Sequence, residues 1–298
     1  MHSDYHTEGP MPNALDSTAS LMHHYRIPPM YQHQYVGFES FRRFLILLSS
    51  QQNQQNDPIL YAAVFQFNSY KLAEIEERAL RRELPRFTAL VDDLYNVMIV
   101  KLMPGMMHNR LSRTFVRYFD SQIMAHGVDR LLLPGGSGRI PLQNNLNKEP
   151  DEQFKPSSRG NWDDYPTFVV EIGVSETLPQ LRQNARLWLT NTDGRTRIVL
   201  LIYVHHSRSI IRFERWQNEP KNFTRSSSLM SSGSAPVPGE PANMQVVEYH
   251  HRGEMLTGEP LVIPVHLLFD VVPANLPPSG ISIGSRDLLQ LGAQVFAG

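Results

Sequence analysis

The 298 residues include no cysteine. Disulfides, thiolate metal sites and a cysteine nucleophile are therefore excluded, and the absence fits an intracellular protein, cytoplasmic or nuclear. No run approaches the roughly 18 consecutive apolar residues that a membrane-spanning helix needs, so no membrane partner is expected. The opening "MHSDYHTEGPMPNALDSTAS" lacks a basic segment followed by an apolar one, and so does not read as a secretory signal. Net charge is only −1, which announces neither nucleic acid nor membrane across the whole surface, although a local basic groove remains compatible with it. There is no Gly-x-Ser-x-Gly, which argues against a serine hydrolase. No Gly-Lys-Ser/Thr follows "PGGSG" (134–138), so this glycine-rich turn is not a phosphate-binding P-loop.

What is present is 41% hydrophobic and 9% aromatic, enough to build a core. Residues 1–34 are polar and aperiodic, and are expected to form a disordered or loose tail. Their histidines (His2, His6, His23, His24, His33) are spaced too irregularly to indicate a metal site. A single domain is expected over 35–272, interrupted by the Ser/Pro/Gly-rich stretch 224–243, with 273–298 as a Pro-rich and then weakly helical C-terminal tail. Within the domain, 37–50, 70–84, 107–127 and 178–191 read as helices. Segments 59–67, 96–105, 129–142, 166–177, 196–206, 209–217 and 244–251 hold strands, and 259–270 reads as a final strand followed by a short helix. This alternation predicts an α+β chain with an α/β-like core, a central mixed sheet flanked by helices, and an N-terminal extension of helix and strand.

The clearest amphipathic helix carries Met107, Leu111, Phe115, Tyr118 and Phe119 on one face. Arg110, Arg113 and Arg117 lie on another, as either a solvated row or a set of phosphate contacts. His205-His206 and His250-His251 are adjacent pairs in strand-like segments. Their side chains are expected on opposite faces, which argues against joint metal ligation.

The anomaly is "PTFVVEIGVSET" (166–177). In a strand, Phe168, Val170 and Ile172 share one face, and Val169, Glu171 and Gly173 the other. A buried Glu171 must be paired, hydrogen-bonded or bound to a metal. Asp151, after Pro150, stands at a strand entrance. Two carboxylates on neighbouring strands would suit Mg²⁺, which could polarise a phosphoryl oxygen and activate water. The plainer readings are that Asp151 caps a turn, that Glu171 pairs with Arg182 or Arg186, that Arg186 is a surface residue, and that His108 only opens a helix. Ser175 or Thr177 would cap the next helix.

Pro150-Asp151 followed by Val170-Glu171-Ile172-Gly173 resembles the Pro-Asp…(Asp/Glu)-x-Lys nuclease superfamily, with its restriction-endonuclease-like fold. More narrowly, the order "KLMPGMMHNRLSRTFVRYF", "EPDEQF", "VVEIGVSET", Arg186-x3-Thr190-x3-Gly194 and "TRIVLLIYV" is similar to a restriction-endonuclease family abundant in cyanobacteria and to uncharacterised fungal proteins. The resemblance spans about residues 94–206, with a weaker echo at 255–270. It implies Asp151 and Glu171 as Mg²⁺ ligands, with His108 lining the same cleft and DNA or RNA as partner. The superfamily lysine falls at Gly173, and the alternative position on the following helix is Arg186, which holds charge but cannot act as a base at neutral pH. Arg186 is therefore expected to face Glu171 as a fourth site residue. The implied activity is metal-dependent phosphodiester hydrolysis at a degenerate site. The alternative is a catalytically inactive nuclease-fold binding or scaffold protein.

Overall fold

The structure is a computed structural model that describes residues 18–55, 60–102, 106–161, 163–174, 176–219 and 239–296. The chain runs α1 (Thr18–Tyr25), β1 (Gln32–Gln34), α2 (Phe38–Gln55), β2 (Leu60–Phe65), α3 (Leu72–Leu80), β3 (Phe87–Asp92), β4 (Val97–Leu102) and α4 (Met106–Ala125). It continues through β5 (Leu132–Pro134), β6 (Ile140–Pro141), β7 (Leu146–Lys148), β8 (Glu152–Pro156), β9 (Phe168–Gly173), α5 (Leu178–Thr190) and β10 (Ile198–His205). The last part is β11 (Ile210–Asn218), β12 (Pro241–His250), β13 (Met255–Thr257), β14 (Leu261–Ile263), α6 (Val265–Leu268), β15 (Ile281–Ile283) and α7 (Ser285–Phe296).

Two large sheets result, an arrangement of the α+β class. The first has the order β1-β2-β4-β3-β7-β6, and the second β13-β12-β11-β10-β9-β8-β5. In the second sheet β9 and β10 are parallel, joined by the crossover helix α5, while the remaining neighbours are antiparallel. Strand alternation sorts the apolar residues into three layers. Phe168, Val170 and Ile172 of β9 pack with Phe115 and Phe119 of α4 and with Leu288 and Leu291 of α7. On the opposite face Val169 joins Val199 and Leu201, together with Leu181, Ala185 and Trp188 of α5 and residues of the first sheet. Beyond the first sheet, Phe41 and Leu45 of α2 and Ile75 of α3 cover Ala62, Val64, Met98 and Val100.

Several expectations need correction. Residues 1–17 and 220–238, on which half of the expected tail and most of the Ser/Pro/Gly insertion fall, lie outside the described residues. From Thr18 onward the loose-tail expectation fails: Leu21, Tyr25 and Ile27 are buried between the two sheets. Their three apolar side chains, scattered among polar residues, made too weak a pattern to read. The C-terminal tail is likewise part of the core. β15 pairs with β14, and Leu288, Leu291 and Val295 of α7 are buried. The single strand expected over 129–142 divides: β5 joins the second sheet and β6 the first. The turn between them needs glycine at 135, because a Cβ there would stand 2.8 Å from Cγ of Gln153. The Gly135 amide donates to the Gln153 carbonyl at 2.8 Å, and the Gln153 side chain donates to the Gly138 carbonyl at 2.7 Å. The glycine-rich turn is thus a join between sheets.

Candidate functional site: a buried cluster of acids and lysines

The β8–β9 ladder pairs Glu152 with Val170 and Gln153 with Val169; continued by one residue, the register sets Asp151 opposite Glu171. The backbone N–H of Ile172 donates to Asp151 Oδ2 at 2.7 Å. The Asp151 and Glu171 side chains are 1% and 3% exposed. The sequence-predicted pair therefore meets on one side of the sheet.

The positive charges come from the first sheet. Along β4, period-2 alternation puts Val97, Ile99 and Lys101 on the face towards the second sheet, and Met98, Val100 and Leu102 on the other. Lys101 Nζ lies 3.2 Å from Asp151 Oδ2, 3.2 Å from the Ile172 carbonyl oxygen and 2.7 Å from Glu176 Oε1. An ammonium has three N–H donors, and here three oxygens surround it. Lys148, at the end of β7, reaches Glu171 Oε1 at 3.2 Å. The same oxygen accepts a 2.6 Å hydrogen bond from Trp188 Nε1 of α5. His108, in the first turn of α4, puts Nε2 3.2 Å from Asp151 Oδ1. Tyr25 and Tyr61 close the cluster from the side of α1, around a void of about 10 Å³ that Lys101 and Lys148 also line.

Three carboxylates (Asp151, Glu171, Glu176) thus face two ammonium groups, with the His108 imidazole beside them. Burial alone would push the Asp151 carboxyl up. The charge of Lys101, with His108 and the Ile172 amide, more than offsets this and holds it well below the usual carboxylate range. Lys101 shows the mirror image: burial works against its charge, but Asp151, Glu176 and Glu171 together push its pKa up. For Glu171 burial prevails. Its pKa is raised, because the pull of Lys148 does not match desolvation together with the neighbouring Asp151 charge.

Arg186 does not join this group. It is exposed, its guanidinium 5.2 Å over the Trp216 ring. The reason is helical phase. Successive residues of α5 turn by ~100°, so Arg186 lies about 160° from the Trp188 that touches Glu171. Arg182 pairs with Glu214 at 2.6 Å instead. In the arginine row of α4, Arg110 and Arg117 hold Gln294 of α7, while Arg113 lines a cleft of about 480 Å³ that opens beside His108 and Asp151. Thr177 caps α5, its N–H donating to Gln180 Oε1 at 3.0 Å.

Lys101 and Lys148 were missed in the sequence reading, and so was the role of Glu176. One signal was legible. Lys101 interrupts the apolar strand "VMIVKL" just as Glu171 interrupts "FVVEIG". Lys148 sits in a short strand inside a polar segment and gave no such cue.

The oxygen donors suit a hard cation in type. With Lys101 in place, however, Mg²⁺ does not fit. The ion requires near-octahedral oxygen ligands at ~2.1 Å, and the ammonium already fills the space between Asp151, Ile172 and Glu176. Among the described residues no group of three or more His, Asp or Glu has an arrangement that could hold a metal.

No family model matches the chain, and no curated protein does. Among solved structures, the chain is similar to a candidate nuclease belonging to DUF820 from Anabaena variabilis. The two share 15% identity at a TM-score of 0.38, over 65% of this chain and 87% of that one. No helix among the described residues is long and apolar enough to cross a membrane.

Proposed function

We propose that this chain is a nuclease-like protein whose cation position is held by its own lysine, so that it acts by binding rather than by metal-dependent phosphodiester hydrolysis. The order α4, Asp151 at the entrance to β8, β9 with Glu171, α5 and β10 fits the nuclease resemblance. The observation that carries the non-hydrolytic reading is the seating of Lys101 on Asp151, the Ile172 carbonyl and Glu176. A metal could enter only by displacing a buried ammonium and leaving it desolvated. Lysine in this position also cannot supply the missing base, because its carboxylate neighbours keep it protonated.

The reading in which hydrolysis persists draws on the cleft beside His108 and Asp151, which would admit a phosphate to the edge of the cluster. Purified protein incubated with mixed DNA and RNA in Mg²⁺ or Mn²⁺ separates the two. The expected outcome is no cleavage that distinguishes wild type from Asp151→Asn. Cleavage by the wild type that Asp151→Asn abolishes would sink the non-hydrolytic reading.

A further inference from the structure

The two histidine pairs lie outside the acid–lysine cluster and have no part in it. "HHSRS" (205–209) turns β10 into β11, and "HHRGE" (250–254) turns β12 into β13. The turns share a backbone. Each is a single 3₁₀ turn, and each ends in a left-handed residue, Ser209 at φ 54° and Glu254 at φ 46°. Because β11 and β12 are antiparallel neighbours, both turns fall at the same end of the sheet and touch. The His251 amide donates to the Ser209 carbonyl at 3.0 Å, and Arg252 reaches the Ser207 carbonyl at 3.5 Å.

This brings two guanidiniums and four imidazoles to one rim. Arg208, Arg252 and His206 are exposed; His205, His250 and His251 are half-buried. The opposing charges nearby are Glu254 within the second turn and Glu248 of β12. Glu248 is already engaged by Arg212 at 2.6 Å and by His250 at 3.4 Å. A ring pair flanks the turns on each face of the sheet: Tyr203, on the side of the shared middle layer, packs edge-on against His205, and Phe296 of α7, on the other side, stacks on His251 with centroids 4.9 Å apart.

We propose that these paired turns form a binding surface for single-stranded nucleic acid. The exposed guanidiniums meet successive backbone phosphates, and the imidazole and aromatic rings offer faces on which unpaired bases stack. A lipid surface would use the same charges but not the rings, and a duplex hides the bases that the rings would meet. The inference does not depend on whether the acid–lysine cluster hydrolyses anything, since binding is read without divalent cation and apart from cleavage.

The test is fluorescence anisotropy on the full chain with a short labelled RNA, the matching single-stranded DNA, their duplex, and phosphatidylserine vesicles as competitor. Single strands should bind more tightly than duplex. Arg208→Ala combined with Arg252→Ala should weaken binding roughly tenfold and flatten its salt dependence. Arg208→Glu should weaken it further. Arg43→Ala, which removes an exposed charge on α2, should leave it unchanged. All three arginines are exposed surface residues, and equal melting temperatures would show that the variants fold. Absent binding, an equal loss in Arg43→Ala, duplex preferred to single strands, or full competition by vesicles would each overturn the proposal.

Discussion

Removing Lys101 leaves Asp151 and Glu176 as buried carboxylates without their shared partner. Taking one member from a buried ion pair typically costs about 3–5 kcal/mol, and Lys101→Ala should lose stability on that scale in chemical denaturation. The same variant empties a space ringed by oxygens. Mn²⁺ should therefore raise the melting temperature of Lys101→Ala and leave that of the wild type unchanged. Equal responses would show that the ammonium does not occupy a cation position. Asp151 and Glu171 should also differ in their response to pH. Because Asp151 has a depressed pKa in the folded state, its stabilising contribution is present above the unfolded value of about 4 and is lost as pH falls through the folded one. Glu171 has the opposite sign: its raised pKa favours the protonated form, so its charge is a cost at neutral pH. Asp151→Asn should accordingly destabilise more than Glu171→Gln at pH 7. The gap between wild type and Asp151→Asn should close as pH drops below about 4. Denaturation curves for both variants at neutral and acid pH check this.

At the scale of the element, α5 decides which side chains meet the acids. Its capping box at Thr177 and Gln180 fixes where the helix starts, and that start fixes its phase. Trp188 then points at Glu171, and Arg186 points away over Trp216. Trp188→Phe keeps most of the packing but removes the indole N–H, leaving Glu171 short of one donor. A loss of about 1–3 kcal/mol is expected from thermal or urea unfolding. Arg186→Ala should leave unfolding unchanged, and a cost comparable to that of Trp188→Phe would mean the helix sits in another phase. The sequence made the existence and order of α4, β9, α5 and β10 legible, because their apolar periods are long and clean. It made the Asp151–Glu171 pairing legible too, as each stands at an odd place in or beside an apolar strand. Facing across sheets was not legible. Lys101 and Glu171 are 70 positions apart in the chain, and nothing local says that β4 of one sheet looks onto β9 of another. The helix phase that turns Arg186 outward was within reach of simple geometry, whereas the motif spacing of the resemblance alone points to the wrong face.

For the whole molecule, the middle apolar layer is shared. α1, β3 and β4 of the first sheet and β9, β10 and α5 of the second all contribute to it. Neither sheet can expose that face without the other losing its cover. The two sheets should therefore unfold together. Trp188 and Trp216 both lie in this shared layer and report its loss by fluorescence, while far-UV circular dichroism reports all strands and helices. Urea transitions followed by the two signals should coincide. A fluorescence change that precedes the loss of secondary structure would show that the sheets separate first.

The seating of Lys101 has one more consequence, for the chemical surroundings in which the protein can persist. A fold that neutralises its central carboxylates with a dissolved ion depends on the supply of that ion, and loses RT ln(1 + [L]/Kd) of stability when the ion is withdrawn. Here the counter-ion is covalently tethered to the backbone of a neighbouring sheet, so its local concentration never changes. Chelators should leave the melting curve where it was, and the molecule should hold its shape equally well in a magnesium-rich and a magnesium-starved medium.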